Sequence, residues 1–154
     1  MGNRQDLIDD IVSEIEKIEN LFKSFLSLIK KVKHKNPNFI ELNALAMLLH
    51  SFYNGLENIF ILIAKKLDEK MPSGERWHIE LLEQMANVIN KRQQKVLTNK
   101  TYEDRKEYLG FRHFSRHAYS LEINWELMKD LIYRFEEIKN NTINELNLFI
   151  EKIK

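Results

Sequence analysis

The sequence predicts an all-α protein, an up-and-down antiparallel bundle of about five helices. Only four glycines and two prolines occur in 154 residues, which leaves little room for turns. Apolar residues recur at three- and four-residue steps along most of the chain, which is the period of an amphipathic helix. Short connections between long helices favour antiparallel neighbours. We expect residues 1–154 to form a single domain, and the long apolar stripes favour a homodimer.

The first two helices are delimited by the two prolines. The first is predicted from Asp6 to Lys33 and ends at Asn36-Pro37-Asn38, because proline disfavours helix in the residue before it. The second is predicted from Phe39 to Lys70. The segment Met71-Pro72-Ser73-Gly74 ends it.

Three further helices follow from capping residues and apolar periodicity. Ser73 can cap a third helix from Gly74 to Leu97. Its inward side chains are predicted to be Trp77, Leu81, Met85 and Val88. Thr101 can cap a fourth helix from Tyr102 to Tyr119. Asn124 can cap a fifth, which is predicted to continue to the end of the chain.

Composition excludes several classes of function. The net charge is +1, so the overall charge indicates no partner. The absence of cysteine excludes disulfides and thiolate catalysis and is typical of a reducing compartment. No apolar signal core follows the N-terminus, and the longest apolar run, Ile59 to Ala64, is too short to span a bilayer. We expect a cytoplasmic protein with no membrane partner.

The most informative motif lies near the end of the fourth helix, where Arg112 to Tyr119 contains two arginines, two histidines and a tyrosine. Arginine can bind a phosphate through two parallel hydrogen bonds, and histidine can exchange a proton near neutral pH. Phosphodiester chemistry without a metal needs both. On an ideal helix, Arg112 and His117 lie about 140° apart, so a two-fold dimer would bring these groups together more easily than one chain.

A local basic surface is predicted around this motif. The segment from Lys91 to Arg116 contains eight Lys or Arg residues and three acidic residues, which fits a phosphate-rich partner. The candidate RNA-binding residues are Lys91, Arg92, Lys95, Arg105 and Lys106. The alternative is an ordinary charged helix face.

Metal chemistry is disfavoured by the spacing of the histidines. Glu75-x-x-His78 has the form used twice in di-iron bundles, but no second copy occurs. His113 and His117 are four residues apart, but Phe114 stands where zinc proteases have glutamate. We therefore expect neither a metal nor a cofactor.

The motif resembles a known family signature. Arg112 and His117 match the R-x4-6-H motif of HEPN-domain ribonucleases, and with Tyr119 they match the R-x4-H-x-Y form of HepT-like toxins. The flanking segments 110–113 and 121–126, and the stretch from Met71 to Met85, are also similar to that group. The resemblance covers about residues 40 to 135.

The resemblance implies an all-α bundle that dimerises, with both motif helices lining a shared cleft. It also implies metal-independent cleavage of RNA, either tRNA or mRNA. His117 would act as general acid or base at the ribose 2′-hydroxyl or the leaving 5′-oxygen. Arg112 would hold the scissile phosphate and stabilise its developing charge.

The resemblance also implies a regulatory partner. In HepT-like toxins, a minimal nucleotidyltransferase (MNT) antitoxin transfers AMP to the tyrosine that corresponds to Tyr119. In family members a polar residue on the second helix often faces the site, which here indicates Asn54 and Glu57 as possible supporting residues; an exposed polar face is the alternative, and the one that these two positions alone favour. His113 and Arg116 are possible supporting residues, and packing is the favoured role for His113.

Two other functions are compatible with the same helices. One is a non-catalytic HEPN scaffold that binds RNA, nucleotide or a nucleotidyltransferase. The other is an interaction bundle with no role in nucleic-acid chemistry, which would show no salt-dependent RNA binding.

Overall fold

The described part of the chain is entirely helical. The computed structural model describes residues 4–117 and 123–154, and for residues 113–117 it describes the backbone alone. Within these ranges there are six α-helices, one π-helical turn and no strand. The helices are α1 (Arg4–Val32), α2 (Phe39–Ile63), α3 (Trp77–Met85), α4 (Asn99–His117), α5 (Trp125–Tyr133) and α6 (Phe135–Ile153). The predicted all-α fold class is confirmed.

The first two helices form an antiparallel hairpin. Asn38 caps α2 by accepting a hydrogen bond from the Glu41 N–H at 2.8 Å, and the Asn38 N–H donates to the Glu41 side chain at 3.0 Å. This reciprocal capping box satisfies two backbone donors that a helix start leaves unpaired. Lys31 pairs with Glu41 near the turn, and Asp10 pairs with Lys66 at the far end. The two ion pairs lie at opposite ends of the hairpin, as the antiparallel arrangement requires, but exposed pairs of this kind contribute little to stability.

Helix α2 is the centre of the core. It packs against α1, α3, α4 and α5, and the Phe52 ring makes edge contacts with Tyr108 and Phe135 at centroid distances of 5.6 and 4.8 Å. On the α1 side, a β-carbon at Gly55 would lie 3.0 Å from Ile18 Cγ1. Glycine therefore permits the close approach of these two helices.

The helical stretch Phe39–Asp68 is long and apolar enough to cross a membrane by length and composition, and 56% of its most apolar window is buried inside the protein. It also contains the buried, ion-paired Glu57. These are properties of a core helix.

The predicted third helix is shorter than the sequence indicates. It begins at Trp77 rather than Gly74, without a side-chain cap, and ends at Met85 rather than Leu97. Leu81 and Met85 are fully buried as predicted, and Trp77 is partly buried. Val88 lies beyond the helix and is 55% exposed, so its predicted inward position is wrong.

Arg92 is the physical reason for this early end. Its side chain is fully buried and pairs with Asp68, with Nε 2.7 Å from Oδ1. It also donates to the backbone carbonyls of Gln84, Asn87 and Gln94. Irregular backbone presents these carbonyls to the guanidinium, whereas a continuing helix would use the same groups internally.

Asp68 in turn lies at the end of the second helical stretch, where the chain leaves α-helical geometry. Residues Ala64–Asp68 form a π-helical turn, and Glu69 follows with φ = 53°. The Lys70 N–H donates to the Ala64 carbonyl at 3.0 Å. The second helical stretch therefore ends two residues before the predicted Lys70.

The later helices also differ from prediction at their ends. Helix α4 is capped by Thr98, whose hydroxyl accepts from the Thr101 N–H at 3.2 Å. The helix therefore begins one turn before the cap that the sequence predicts at Thr101. Asn124 caps α5 as predicted, accepting from the Leu127 N–H at 3.1 Å. The predicted fifth helix is interrupted at Arg134. Helices α5 and α6 therefore replace it.

We expect Arg92→Met to destabilise the fold strongly, because it leaves Asp68 as an uncompensated buried charge. Removing one partner of a buried pair costs about 3–5 kcal/mol, measurable as a lower midpoint of urea unfolding. The control is Lys91→Met, because Lys91 pairs with Glu69 at a site where both side chains are 60% exposed. Its midpoint should stay close to that of the parent. Equal effects of the two variants would contradict this role for Arg92.

Candidate active site

Arg112 lies on α4 and its side chain is almost completely buried. The residue is 9% exposed. Nε donates to Asn54 Oδ1 at 2.8 Å, and Nη2 lies 3.5 Å from Glu57 Oε1. Asn54 and Glu57 are one turn apart on α2, so both face the same side of that helix. The structure brings together Arg112, Asn54 and Glu57, three of the residues singled out from the sequence.

His78 of α3 is the fourth member of this group. Its Nδ1 lies 2.6 Å from Glu57 Oε2 and 3.4 Å from Arg112 Nη1. An ionised carboxylate only accepts hydrogen bonds. We therefore assign the proton to Nδ1, and the Nδ1–H donates to Glu57 Oε2. Arg112 Nη1 then lies in contact with the ring without donating to Nδ1. We refer to Asn54, Glu57, His78 and Arg112 as the Arg112 cluster.

The cluster was only partly predictable. In the sequence His78 stands out only as part of Glu75-x-x-His78, whereas its partner in the structure, Glu57, is 21 residues away and one helix earlier. The available signal was the similarity of the segment from Met71 to Met85 to HepT-like sequences. Among the described residues, no three His, Asp or Glu side chains are grouped as metal ligands.

One carboxylate holds both nitrogen-bearing side chains of the cluster, the Arg112 guanidinium and the His78 imidazole. Glu57 is 4% exposed, and its two oxygens face different partners, Oε1 towards Arg112 and Oε2 towards His78. A buried charge is tolerated only when it is paired and hydrogen-bonded. The pairing therefore fixes the orientation of the guanidinium and of the imidazole together.

Tyr53 lies beside the cluster, with its ring centroid 5.9 Å from Arg112 Cζ. Its hydroxyl is buried and has no hydrogen-bond partner among the described residues. Burial raises the pKa of Tyr53 well above its ordinary value, and the Glu57 carboxylate raises it further, while Arg112 acts in the opposite direction. Tyr53 therefore stays uncharged, and its ring forms one side of the site.

The remaining motif residues follow Arg112. His113, Arg116 and His117 belong to α4, but their side chains lie outside the described residues, as does the whole of Tyr119. The backbone places His117 five residues after Arg112 on one continuous helix.

The predicted basic surface needs correction at two positions. Arg92 and Arg105 are buried, at 4% and 0% exposure, so neither can bind RNA. Arg92 pairs with Asp68, and Arg105 donates to the Ile138 carbonyl at 3.1 Å. Desolvation lowers the pKa of Arg105 to about 10. Lys91, Lys95 and Lys106 are exposed, although Lys91 pairs with Glu69 and Lys106 with Glu103.

The fold and site define a class of protein: an all-α bundle whose R-x4-H helix has its arginine buried against polar residues of a central helix. A family model described as HepT-like protein matches residues 44–153, and the chain belongs to this family. The match includes the whole Arg112 cluster, His117 and Tyr119. Family membership indicates a HEPN-type domain, a class in which ribonuclease toxins are common.

Comparison with curated proteins and with solved structures gives no match. The family match begins within α2, and α1 lies outside it.

We expect Tyr53→Phe to reduce the loss of stability at alkaline pH. Tyrosine in an unfolded chain has a pKa of about 10, and the pKa of folded Tyr53 is higher. Above pH 10 the unfolded state therefore binds fewer protons, and stability falls as pH rises. Urea unfolding at neutral pH and at about pH 11 should show a smaller difference for the variant than for the parent. Tyr133→Phe is the control, because Tyr133 is 37% exposed. An unchanged difference in Tyr53→Phe would contradict the assignment.

Proposed function

We propose that the protein is a metal-independent endoribonuclease toxin of a toxin–antitoxin system. The observation that carries the proposal is the buried Arg112 side chain, held at Nε by Asn54 and faced by Glu57. Its helix bears His117 five residues later. Side chains that catalyse need fixed rotamers supported by neighbouring hydrogen bonds, and Arg112 has that support.

The proposed reaction uses the RNA itself as the nucleophile. The ribose 2′-oxygen attacks the adjacent phosphorus, the bond to the 5′-oxygen breaks, and a 2′,3′-cyclic phosphate remains. Arg112 binds the phosphate and stabilises the negative charge that develops on it. His117 transfers a proton at the 2′-hydroxyl or at the leaving 5′-oxygen. DNA lacks the 2′-hydroxyl and resists.

A homodimer is part of this proposal. Arg112 and His117 lie about 140° apart on an ideal helix, so a second copy related by a two-fold axis would complete the cleft. The RNA, either tRNA or mRNA, would extend across the cleft over exposed lysines such as Lys91, Lys95 and Lys106.

A non-catalytic scaffold is the second candidate, and one observation favours it. Glu57 lies 3.5 Å from Arg112 Nη2, so a carboxylate already compensates much of the arginine's charge. In a scaffold, Arg112 would serve to hold α2 and α4 together. RNA, nucleotide or a nucleotidyltransferase would then bind elsewhere on the helices.

Regulation would act through Tyr119. We propose that a minimal nucleotidyltransferase antitoxin transfers AMP to its hydroxyl. Two turns of an α-helix cover 7.2 residues, so Tyr119 would share a stripe with Arg112 if helical geometry continued. A bulky anionic group there would compete with RNA for the arginine and repel the RNA backbone.

We expect the purified parent to cleave cellular RNA in the presence of a chelator and to leave cyclic phosphate ends. His117→Ala should slow cleavage by about 10²–10⁴-fold, the usual contribution of a general acid or base. His34→Ala is the matched control, because His34 is an exposed histidine in the turn after α1. Equal cleavage by parent and His117→Ala would remove His117 from the mechanism. RNA binding without cleavage by a parent whose Tyr119 is unmodified would favour the scaffold.

Co-expression with a minimal nucleotidyltransferase should add one or more AMP units to Tyr119, located by peptide mass spectrometry. The modified protein should lose RNA cleavage. Tyr119→Phe, which lacks the acceptor hydroxyl, should stay active and escape neutralisation. Tyr133→Phe, with an unrelated partly exposed tyrosine changed, should be neutralised as the parent is. If Tyr119→Phe were neutralised equally well, the antitoxin would act at another site.

A further inference from the structure

Cleavage through the 2′-hydroxyl requires two proton transfers, one from the nucleophile and one to the leaving group. The R-x4-H motif contributes His117 to this chemistry. The Arg112 cluster contains a second imidazole, His78, which the motif does not include. Its position raises the question of which proton each histidine transfers.

The hydrogen bond to Glu57 fixes the tautomer of His78. Nδ1 carries the proton that it donates to Glu57 Oε2 at 2.6 Å, so in the neutral ring Nε2 has the lone pair. Nε2 makes no hydrogen bond to any described residue, and the His78 side chain is 21% exposed. The ring lies against Trp77, with centroids 3.6 Å apart and planes tilted by 31°. The imidazole is thus oriented and partly exposed, with Nδ1 rather than Nε2 directed towards the buried carboxylate.

Glu57 also prepares the ring to accept a proton. A carboxylate hydrogen-bonded to Nδ1–H stabilises the imidazolium that forms when the other nitrogen is protonated, as in serine hydrolase triads. The opposing influence is Arg112, whose Nη1 lies 3.4 Å from Nδ1. Glu57 contacts both groups, so its single negative charge offsets one of the two positive charges that are present once the ring is protonated.

Proximity to Arg112 places His78 where the reacting phosphate would bind. A phosphate held by the Arg112 guanidinium would lie beside the His78 ring, because Arg112 Nη1 is in contact with that ring. A general base must lie within hydrogen-bonding reach of the proton that it removes. The ribose attached to the phosphate carries that proton.

We infer that His78 is the general base of the ribonuclease reaction, an inference that rests on the proposed function. His78 Nε2 takes the proton from the 2′-hydroxyl as the 2′-oxygen forms its bond to phosphorus. The bond from phosphorus to the 5′-oxygen then breaks, and His117 supplies the proton to that oxygen. Glu57 is a positioning residue that fixes the His78 tautomer and the Arg112 guanidinium.

The test uses His78→Asn, whose amide can still donate to Glu57 but which has no group that titrates in place of Nε2. If His78 were only a structural partner of Glu57, this variant would keep its activity. We expect instead a loss of about 10²–10⁴-fold in the single-turnover cleavage rate. Binding to an RNA with a 2′-deoxy sugar at the cleaved linkage should be unchanged. His34→Asn is the control for the same substitution at an exposed position.

A substrate with sulfur in place of the leaving 5′-oxygen separates the two proton transfers, because a thiolate leaves without a proton. His117→Ala should recover most of its rate on this RNA, whereas His78→Asn should stay slow. Recovery by His78→Asn would overturn the base assignment. His78→Asn cleaving ordinary RNA as fast as the parent would also overturn it, with the ribonuclease function intact.

If the protein is not a ribonuclease, the result is different: neither the parent nor His34→Asn would cleave any RNA. Thermal unfolding identifies a variant that fails to fold. In that case His78→Gln replaces His78→Asn and is subject to the same two criteria.

Discussion

A buried carboxylate on the central helix is the constraint on which the arrangement of the site depends. Glu57 is 4% exposed, and an unpaired charge at that depth would be incompatible with a stable fold. Its two oxygens must therefore face cationic or proton-donating groups. Arg112 on α4 and His78 on α3 supply them, so one residue of α2 sets the positions of two other helices.

The same requirement operates eleven residues further along the second helical stretch. Asp68, at the end of the π-helical turn, is buried and takes two hydrogen bonds from Arg92 and one from Gln84. This pairing draws the chain after α3 against the end of the second helical stretch. Two buried carboxylates of the second helical stretch thus hold α3, Glu57 through His78 near its start and Asp68 through Gln84 near its end. The first carboxylate lies at the site, and the second keeps the following loop in place.

The sequence was sufficient for features that depend on neighbouring residues. Apolar periodicity predicted the helical stretches, and the predicted cap at Asn124 follows from local chemistry. The position of Arg92 on a predicted basic surface is an error of a different kind. Arg92 is buried because it pairs with Asp68, 24 residues away, and neighbouring residues in the sequence do not identify that partner. The break at Arg134 has no proline or glycine to mark it. In the cluster, the polar pair Asn54 and Glu57 was predictable from the family resemblance, whereas the link from Glu57 to His78 required the tertiary structure.

The contact between Gly55 and Ile18 has a consequence for how this site tolerates variation. Gly55 lies between Asn54 and Glu57 in sequence but about 160° around the helix from Glu57, against α1. A β-carbon there would lie 3.0 and 3.2 Å from Ile18 Cγ1 and Cδ1, so the Ile18 side chain would have to shift to admit a larger residue. The position of the polar residues on α2 therefore depends partly on the packing of α1, which lies outside the family match. We therefore expect the residues at positions 18 and 55 to covary, so that the close contact between α1 and α2 behind the Arg112 cluster is kept.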